Sequence, residues 1–186
     1  MTAATSHSTL VASPWVQRWA HLFAPQSQVL DLACGHGRHM RHLADLGHSV
    51  LGVDQNTQAL ASCAGFGETL CADLENAPWP LAGRTFGGIV VTHYLWRALW
   101  PEIVSSLAEG GVLIYETFAS GNETVGKPSR PDFLLRPGEL LEVCRDLRIV
   151  AFEEGFLASP DRFVQRIVAV RETQGTQTPV RYPLSN

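Results

Sequence analysis

One segment constrains the fold of this chain more than any other: an apolar run that enters a glycine turn and continues directly into a helical stretch. It covers residues 29–38 and reads VLDLACGHGR. Gly35 and Gly37 have no Cβ, so the backbone can turn tightly there and lie close to a ligand. Amide groups at the helix start would face the crevice in which open α/β sheets bind ligands. The segment predicts a ligand site at the turn, or alternatively a glycine turn that merely joins a strand to a helix.

The rest of the chain alternates short β-rich runs with helical stretches, which predicts a parallel sheet with helices on both faces. The predicted strands are residues 28–33, 49–53, 68–72, 88–92, 112–116, 148–153 and 163–170. The first predicted helix begins at Pro14, and the others cover residues 38–46, 57–63, 96–107 and 137–144. A turn is predicted over 109–111. The last two runs are joined so briefly that they should be antiparallel neighbours. We therefore expect an α/β fold: a doubly wound, seven-stranded, mostly parallel sheet with an antiparallel last strand.

The whole chain has 186 residues, of which 45% are hydrophobic and 17% are charged, so one globular domain is expected. We assign it to residues 14–171, between a flexible N-terminus (1–13) and a flexible tail (172–186). The net charge of −4 gives no general attraction to nucleic acid. Four cysteines without a C-x-x-C pair, no signal peptide and no membrane segment suggest a cytoplasmic protein.

Acidic residues end the next two predicted strands as well. Asp54 follows the second strand, where a carboxylate with two accepting oxygens suits the hydroxyls of a ribose. Asp73 follows the third, where it could accept from the amine of an adenine while the Leu74 amide donates to a ring nitrogen. Each acid taken alone is equally compatible with a cap of a helix or turn. Asp31, Asp54 and Asp73 end three consecutive strands, and this repetition favours one shared site.

In these features the chain resembles the class I S-adenosylmethionine-dependent methyltransferases. That family has an acid and a Gly-x-Gly turn after its first strand, an acid after the second and another near the third. The resemblance covers about residues 29–170, including the final antiparallel pair. The family often has three glycines in the turn, and Ala33 stands at the first of these positions. Size and the lack of an added domain resemble the small bacterial methyltransferases related to tellurite-resistance and thiopurine enzymes.

The resemblance implies S-adenosylmethionine as cofactor. It implies that Asp31, Gly35 and Gly37 hold the methionine part, Asp54 the ribose, and Asp73 with Leu74 the adenine. Neighbouring positions complete the set of candidate cofactor-binding residues: Ala33, Arg38, Gln55 and Thr92.

Two other ligand classes are weaker interpretations of the same residues. A nicotinamide dinucleotide site requires a third glycine, and this chain has Met40 there. His36, His39 and His42 suggest a metal site, but their spacing spreads them around a helix, so we expect no metal.

The end of the fourth strand should border the point of methyl transfer. We predict His93 and Tyr94 as catalytic residues there, His93 as a base or as a group that positions the acceptor. A structural histidine and core packing of Tyr94 are the alternatives. The stretch 119–131 is predicted as a loop that covers the site, with Phe118 and Phe133 beside it.

The expected acceptor is a small molecule, because the chain is acidic and has no Pro-Pro-aromatic run after the fourth strand. RNA or protein acceptors are one alternative, which a basic patch around Lys127, Arg130 and Arg136 would favour. A non-catalytic adenosyl-binding protein, without a pocket at His93 and Tyr94, is another. We expect a monomer or homodimer.

Overall fold

The structure, a computed structural model, describes residues 11–173, 175 and 180–184. In chain order, its strands are β1 (Gln28–Leu32), β2 (Ser49–Asp54), β3 (Glu68–Cys71), β4 (Phe86–Thr92), β5 (Leu107–Phe118), β6 (Arg148–Leu157) and β7 (Arg162–Val170). The helices are α1 (Pro14–Trp19), α2 (Arg38–Asp45), α3 (Thr57–Ala61), α4 (Trp100–Ser105) and α5 (Glu139–Val143). Short 3₁₀ turns lie at Ala20–Leu22, Arg97–Leu99, Asn122–Thr124 and Pro131–Phe133.

The strands form one sheet in the order β3-β2-β1-β4-β5-β7-β6. Strands β1 to β5 pair in parallel, and β7 is antiparallel to both β5 and β6. The predicted fold class is therefore confirmed, including the antiparallel final pair. The strand order reverses between β1 and β4, and the carboxyl ends of these strands are where such a sheet opens a crevice for ligands.

Side chains of the central strands alternate between two buried layers. Leu30 and Leu32 of β1 pack in one layer with residues of β4, β5, α4 and α5. Val29 packs in the other, which includes Trp15 and Trp19 of α1 and Met40 of α2. Because successive side chains of a strand point to opposite faces, a strand buried on both faces is apolar throughout. Asp31, which follows the parity of Val29, must therefore face α1 and α2.

The predicted turn at 109–111 is wrong, because these residues lie inside β5. Gly110 donates its amide to Arg171 O over 2.7 Å, and Arg171 donates to Gly111 O over 3.0 Å, so the glycines pair with the chain beyond β7. Gly110 has φ +75°, and the register to β4 shifts between Phe86 and Gly88. The glycines thus mark an irregularity within a long strand, which sequence patterns do not separate from a turn.

The predicted helix over 96–107 is also shorter than expected. Arg97–Leu99 forms a 3₁₀ turn, and α4 covers only Trp100–Ser105. Pro101 stands in the first turn of α4, where its missing N–H costs no helical hydrogen bond. The last predicted helix begins at Glu139 after Gly138, two residues beyond Pro137.

The described parts of both termini contact the body of the domain. Ser13 is buried and accepts a hydrogen bond from the Trp15 amide, so it caps α1. Tyr182 packs against the α1–α2 layer, and the carbonyl oxygen of Pro183 lies 3.0 Å from His21 Nε2. The predicted flexibility of residues 1–10, 174, 176–179 and 185–186 concerns positions outside the described residues.

Candidate functional site

The glycine turn after β1 enters the left-handed region of backbone conformation at three alternate positions. The φ angle is +53° at Ala33, +54° at Gly35 and +72° at Gly37. A Cβ on Gly37 would lie 2.7 Å from Cys63 Sγ, so a larger residue would collide with the protein there. A Cβ on Gly35 would meet no atom within 4 Å. The turn is therefore packed against the protein at Gly37 and open at Gly35.

Asp54 connects the end of β2 to this turn. One carboxylate oxygen accepts from the Gly35 amide over 2.8 Å, and the other accepts from the Asn56 amide over 2.8 Å. Asn56 is the residue that caps α3, since its side chain accepts from the Gln58 and Ala59 amides. Asp54 is therefore not the helix cap that its position also allowed. Each of its oxygens keeps further accepting capacity for a ligand hydroxyl.

A cleft of about 200 Å³ opens beside Asp54. Its lining combines polar and apolar side chains. The residues are Ala33, Asp54, Gln55, Ala72, Leu74, Glu75 and Tyr94. The ends of β1, β2 and β4 and the turn after β3 contribute to this one lining. A planar base between apolar walls, next to a carboxylate that accepts from hydroxyls, fits this arrangement.

Asp73 is placed differently from the other two acids. Its Oδ1 accepts from the amides of Glu75 and Asn76 over 2.9 and 3.0 Å, so it closes a turn. These bonds, first that from Glu75, hold the pKa of Asp73 below its ordinary value. Its side chain does not line the cleft, whereas its neighbours Ala72 and Leu74 do. The structure thus brings Leu74 to the cleft and shows the Asp73 carboxylate in a turn.

Asp31 is fully buried on the α1–α2 side of the sheet. Its Oδ1 lies 3.7 Å from His39 Nδ1, and His39 Nε2 accepts from the Ser13 amide over 3.2 Å. Since Nε2 accepts, the neutral ring carries its proton on Nδ1, facing the carboxylate. The Ser13 hydroxyl donates to Glu116 over 2.9 Å. Asp31 Oδ2 is buried and has no hydrogen-bond partner among the described residues, which leaves an acceptor next to the glycine turn.

Arg38, the first residue of α2, extends toward the end of β4. Its Nη2 donates to Thr92 Oγ1 over 3.3 Å and lies 3.5 Å from His93 Nδ1. Burial lowers the pKa of both Arg38 and His93, and Arg162 adds a second positive charge that lowers both further. The Arg162 Nε is buried without a hydrogen-bond partner among the described residues. Two cations near the open turn form a suitable environment for an anionic ligand group.

His93 follows β4 with φ +53°, and its ring packs on Phe118 with centroids 4.9 Å apart. Burial, together with the charge of Arg38, lowers its pKa to about 4. The ring is therefore neutral near neutral pH, with Nδ1 toward a guanidinium and the proton on Nε2. A group with so low a pKa is a weak general base, so a positioning role suits His93 better.

Tyr94 separates the cleft beside Asp54 from a second cavity. Its hydroxyl is buried without a hydrogen-bond partner among the described residues. Burial raises its pKa, and the carboxylates of Glu75, Asp73 and Asp54 raise it further, so the phenol stays protonated. The backbone is held from the other side, because the Tyr115 hydroxyl donates to Tyr94 O over 2.8 Å.

The second cavity has a volume of about 280 Å³ and is lined mainly by apolar and aromatic side chains. The residues are Glu75, His93, Tyr94, Leu95, Thr117, Phe118, Pro128 and Phe133. We call it the acceptor cavity, and the one beside Asp54 the nucleoside cleft. Glu75 and Tyr94 line both. Sequence reasoning identified His93, Tyr94, Phe118 and Phe133 but missed Glu75, whose only local signal is its place in the turn after β3.

The predicted loop over 119–131 forms the outer wall of the acceptor cavity through Pro128. The loop is anchored at Asn122, which is buried, donates to Pro128 O over 3.0 Å and accepts from the Phe163 amide over 3.2 Å. Phe133 lies just after this loop. Arg97 holds the backbone on either side of it by donating to the carbonyl oxygens of Asp132 and Leu134 over 2.7 and 2.9 Å.

Two of the three histidines that suggested a metal lie beside different partners. His39 is buried beside Asp31, and His36 Nδ1 lies 3.1 Å from Ser62 Oγ. Within the part of the chain that the structure describes, no group of three or more His, Cys, Asp or Glu is arranged to hold a metal ion. Over the same residues, we find no helix with the length and apolarity that crossing a membrane requires.

Comparison with known proteins agrees with this geometry. Residues 29–111 match a family model described as a methyltransferase domain. The match begins in β1 and includes the glycine turn, the nucleoside cleft and His93. No protein in a search of curated proteins matches the chain.

Solved structures of methyltransferases share the fold. TehB from Haemophilus influenzae superposes with a TM-score of 0.69 at 22% identity over 83% of this chain, which spans only 60% of that protein. A TehB-like S-adenosylmethionine-dependent methyltransferase from Corynebacterium glutamicum gives 0.61 at 19% identity, covering 82% of this chain and 84% of its own. The glycopeptide N-methyltransferase MtfA, solved with S-adenosylhomocysteine, gives 0.57 at 18% identity, covering 82% and 86%.

Proposed function

We propose that this chain is a class I methyltransferase that transfers a methyl group from S-adenosylmethionine to a small-molecule acceptor, a proposal that its fold and its matched domain support. The observation that carries the proposal is the pair of adjoining cavities at the carboxyl edge of the sheet. The nucleoside cleft lies beside Asp54, the acceptor cavity beside His93, and Tyr94 with Glu75 lines both. A donor bound in one and an acceptor bound in the other would meet at Tyr94.

The residues around the nucleoside cleft fit the parts of this cofactor. Asp54 would accept from the ribose hydroxyls with Gln55 beside it, and Ala72 and Leu74 would enclose the adenine, with Asp73 in the adjoining turn. The open face at Gly35 leaves room for the methionine part, beside Ala33 at the start of the turn and Gly37, where the turn packs against Cys63. Its carboxylate would lie near Arg38, and its amino group near the unpartnered oxygen of Asp31. Thr92 orients Arg38 by accepting from it.

The cofactor supplies a methyl group on a sulfonium, a reactive centre whose leaving group needs no protonation. The work left to the protein is alignment, which can lower a barrier by roughly 7–11 kcal/mol when both reactants are held near attack distance. His93, rigid through its packing on Phe118, and Tyr94, a protonated phenol, would hold the acceptor. Pro128 and Phe133 would exclude water from the acceptor cavity.

Charge pairing favours a small acceptor over RNA. Of the three residues that would form a basic patch, Arg130 pairs with Asp132 at 2.8 Å, and Arg136 pairs with Glu139 at 3.0 Å. Of these three, only Lys127 has no ion pair with a described residue, and one such charge is too little for a phosphate-backbone surface. The acceptor cavity itself argues against a purely binding role, since a non-catalytic adenosyl-binding protein has no need of it.

The test begins with thermal melting in S-adenosylhomocysteine and, separately, in a nicotinamide dinucleotide. A ligand at 100 times its dissociation constant should stabilise the protein by about 2.7 kcal/mol. We expect a rise in Tm with the first ligand alone, and a rise with the dinucleotide alone would overturn the proposal. Methyl uptake from labelled S-adenosylmethionine then follows for thiols, amines, oxyanions and metalloid anions.

A further inference from the structure

The charges around the acceptor cavity favour one class of acceptor among thiols, amines, oxyanions and metalloid anions. Its lining contains one carboxylate, that of the exposed Glu75, and no lysine or arginine. The Glu75 carboxylate has neither an ion pair nor a hydrogen bond to any described residue. His93 carries the only titratable nitrogen in the lining, and its ring is neutral near neutral pH. An anion entering the cavity would therefore meet a carboxylate without a compensating cation.

The positive charges closest to the acceptor cavity lie outside its lining. Arg38 and Arg162 sit near His93 but belong to neither lining, and Arg38 is turned toward Thr92. They are placed for the methionine carboxylate in the function proposed above. The negative charge in the cavity lining is therefore that of Glu75. Asp54 and Asp73 also lie close enough to interact electrostatically with Tyr94, which lines the cavity.

The apolar part of the lining limits the rest of the acceptor. Leu95, Phe118, Pro128 and Phe133 offer carbon surfaces, and Tyr94 adds an aromatic ring beside the carboxylate. Aromatic faces attract cations, and burying an apolar body against them is favourable. A volume of about 280 Å³ is at the lower end for ligand pockets, so a body of one ring fills it.

We propose that the acceptor is a small amine on an apolar or aromatic body, bound with its nitrogen at Glu75 and Tyr94 and its body against Phe118 and Phe133. This inference rests on the methyltransferase function proposed above and specifies its acceptor. Glu75 is its specificity-determining residue, because it is the only charge in the cavity and lies on the boundary with the nucleoside cleft.

The transfer balances without any further reactant. An ammonium that binds at Glu75 gives one proton to the carboxylate or to water, which frees the nitrogen lone pair. That pair forms the new N–C bond to the methyl group while the C–S bond breaks and its electrons remain on sulfur. The products are the methylated ammonium and S-adenosylhomocysteine, and one proton is released to solvent.

Three probes with the same ring test the proposal: benzylamine, phenylmethanethiol and benzoate. Their binding to the protein saturated with S-adenosylhomocysteine is measured by calorimetry, and their methylation with S-adenosylmethionine by mass spectrometry. We expect benzylamine to bind and to be methylated, and benzoate to do neither. Glu75→Gln should weaken benzylamine binding at least about tenfold, because a hydrogen bond to a charged group is lost. S-adenosylhomocysteine affinity should fall less than benzylamine affinity, since Glu75 is one of several residues that line the nucleoside cleft, and Asp54 and the glycine turn remain.

Glu68→Gln is the matched control, an exposed glutamate at the start of β3, at the opposite edge of the sheet, and it should change neither affinity. Preferred methylation of the thiol or benzoate, unchanged benzylamine binding in Glu75→Gln, or no benzylamine binding beside bound S-adenosylhomocysteine would each overturn the inference and leave the cofactor assignment intact. A protein that does not bind S-adenosylhomocysteine would remove the proposed function and this inference together.

Discussion

The Asp54 carboxylate accepts the Gly35 amide hydrogen over 2.8 Å, and this bond joins the end of β2 to the turn that follows β1. The second oxygen accepts from Asn56, so both oxygens have fixed directions before any ligand binds. A carboxylate held by two amides loses little further freedom when it accepts from a ribose, which is the advantage of preorganisation. One side chain thus positions the glycine turn and, in the proposed function, would also accept from the ligand.

Replacing Asp54 by alanine should therefore lower both stability and cofactor affinity. Two charge-assisted hydrogen bonds to amides are lost, and we expect unfolding to become easier by about 2 kcal/mol. S-adenosylhomocysteine affinity should fall about tenfold to a hundredfold, measured by calorimetry below the melting temperature. An unchanged affinity in a folded variant would remove the ribose role of Asp54.

Asp73→Ala is the matched comparison, since it removes an acid at the end of the next strand. Its carboxylate closes a turn and does not line the nucleoside cleft. We expect a small loss of stability and a smaller change in affinity than in Asp54→Ala. An equal or larger loss of affinity would show that Asp73 contacts the adenine directly.

Ala33 should be a strained residue, because its φ of +53° is one that a side chain with a Cβ adopts at a cost. This conformation costs alanine roughly 1–2 kcal/mol. Glycine avoids that cost, but its greater freedom in the unfolded chain cancels part of the gain in stability. We expect Ala33→Gly to raise the free energy of unfolding by about 0.5 kcal/mol. Urea denaturation measures it, with Ala44→Gly within α2 as a control that should destabilise. A lower free energy of unfolding in Ala33→Gly than in the wild type would show that Ala33 is not strained.

The sequence predicts those parts of the site whose positions depend on residues close to them along the chain. Asp54 and Gly35 follow apolar runs that can only be buried strands, and parallel strands bring their carboxyl ends to one edge. Glu75 and Arg162 gave no such signal, because their places depend on packing among β4, β7 and the loops. Asp73 matched the same pattern as Asp54, yet its carboxylate bonds within its own turn, a local competition that spacing does not reveal.

His93 should remain neutral over the whole range in which a free histidine titrates. Burial and the charge of Arg38 lower its pKa to about 4, from an ordinary value of 6.5. The unfolded chain therefore takes up this proton first as the pH falls, so His93 lowers stability progressively between about 6.5 and about 4. We expect the kcat/KM profile to show no inflection from His93 near neutral pH. NMR titration of its ring, assigned with His93→Gln, measures the pKa, and a midpoint near the ordinary value would contradict the expectation.

Glu139 should support the outer wall of the acceptor cavity through a buried ion pair. The carboxylate accepts from Arg97 at 2.9 Å through both oxygens, and the same guanidinium holds the carbonyl oxygens on either side of Phe133. Burial alone would raise the pKa of Glu139, but hydrogen bonds from Arg97 and Arg136 outweigh it, so the pKa lies below its ordinary value. A carboxylate with a lowered pKa stabilises the fold above its unfolded-state pKa and loses this contribution as the pH falls through the folded value.

Glu139→Gln should therefore cost about 3 kcal/mol of unfolding free energy near neutral pH, because it leaves Arg97 without its buried partner. The difference from the wild type should shrink in acid, where the wild-type carboxyl is protonated as well. Urea denaturation at a series of pH values measures it. Glu142→Gln is the control: this side chain is 73% exposed and lies 3.8 Å from Arg136, so its removal should change stability little at any pH. A pH-independent cost in Glu139→Gln would mean that lost packing, and not the charge, destabilises the variant.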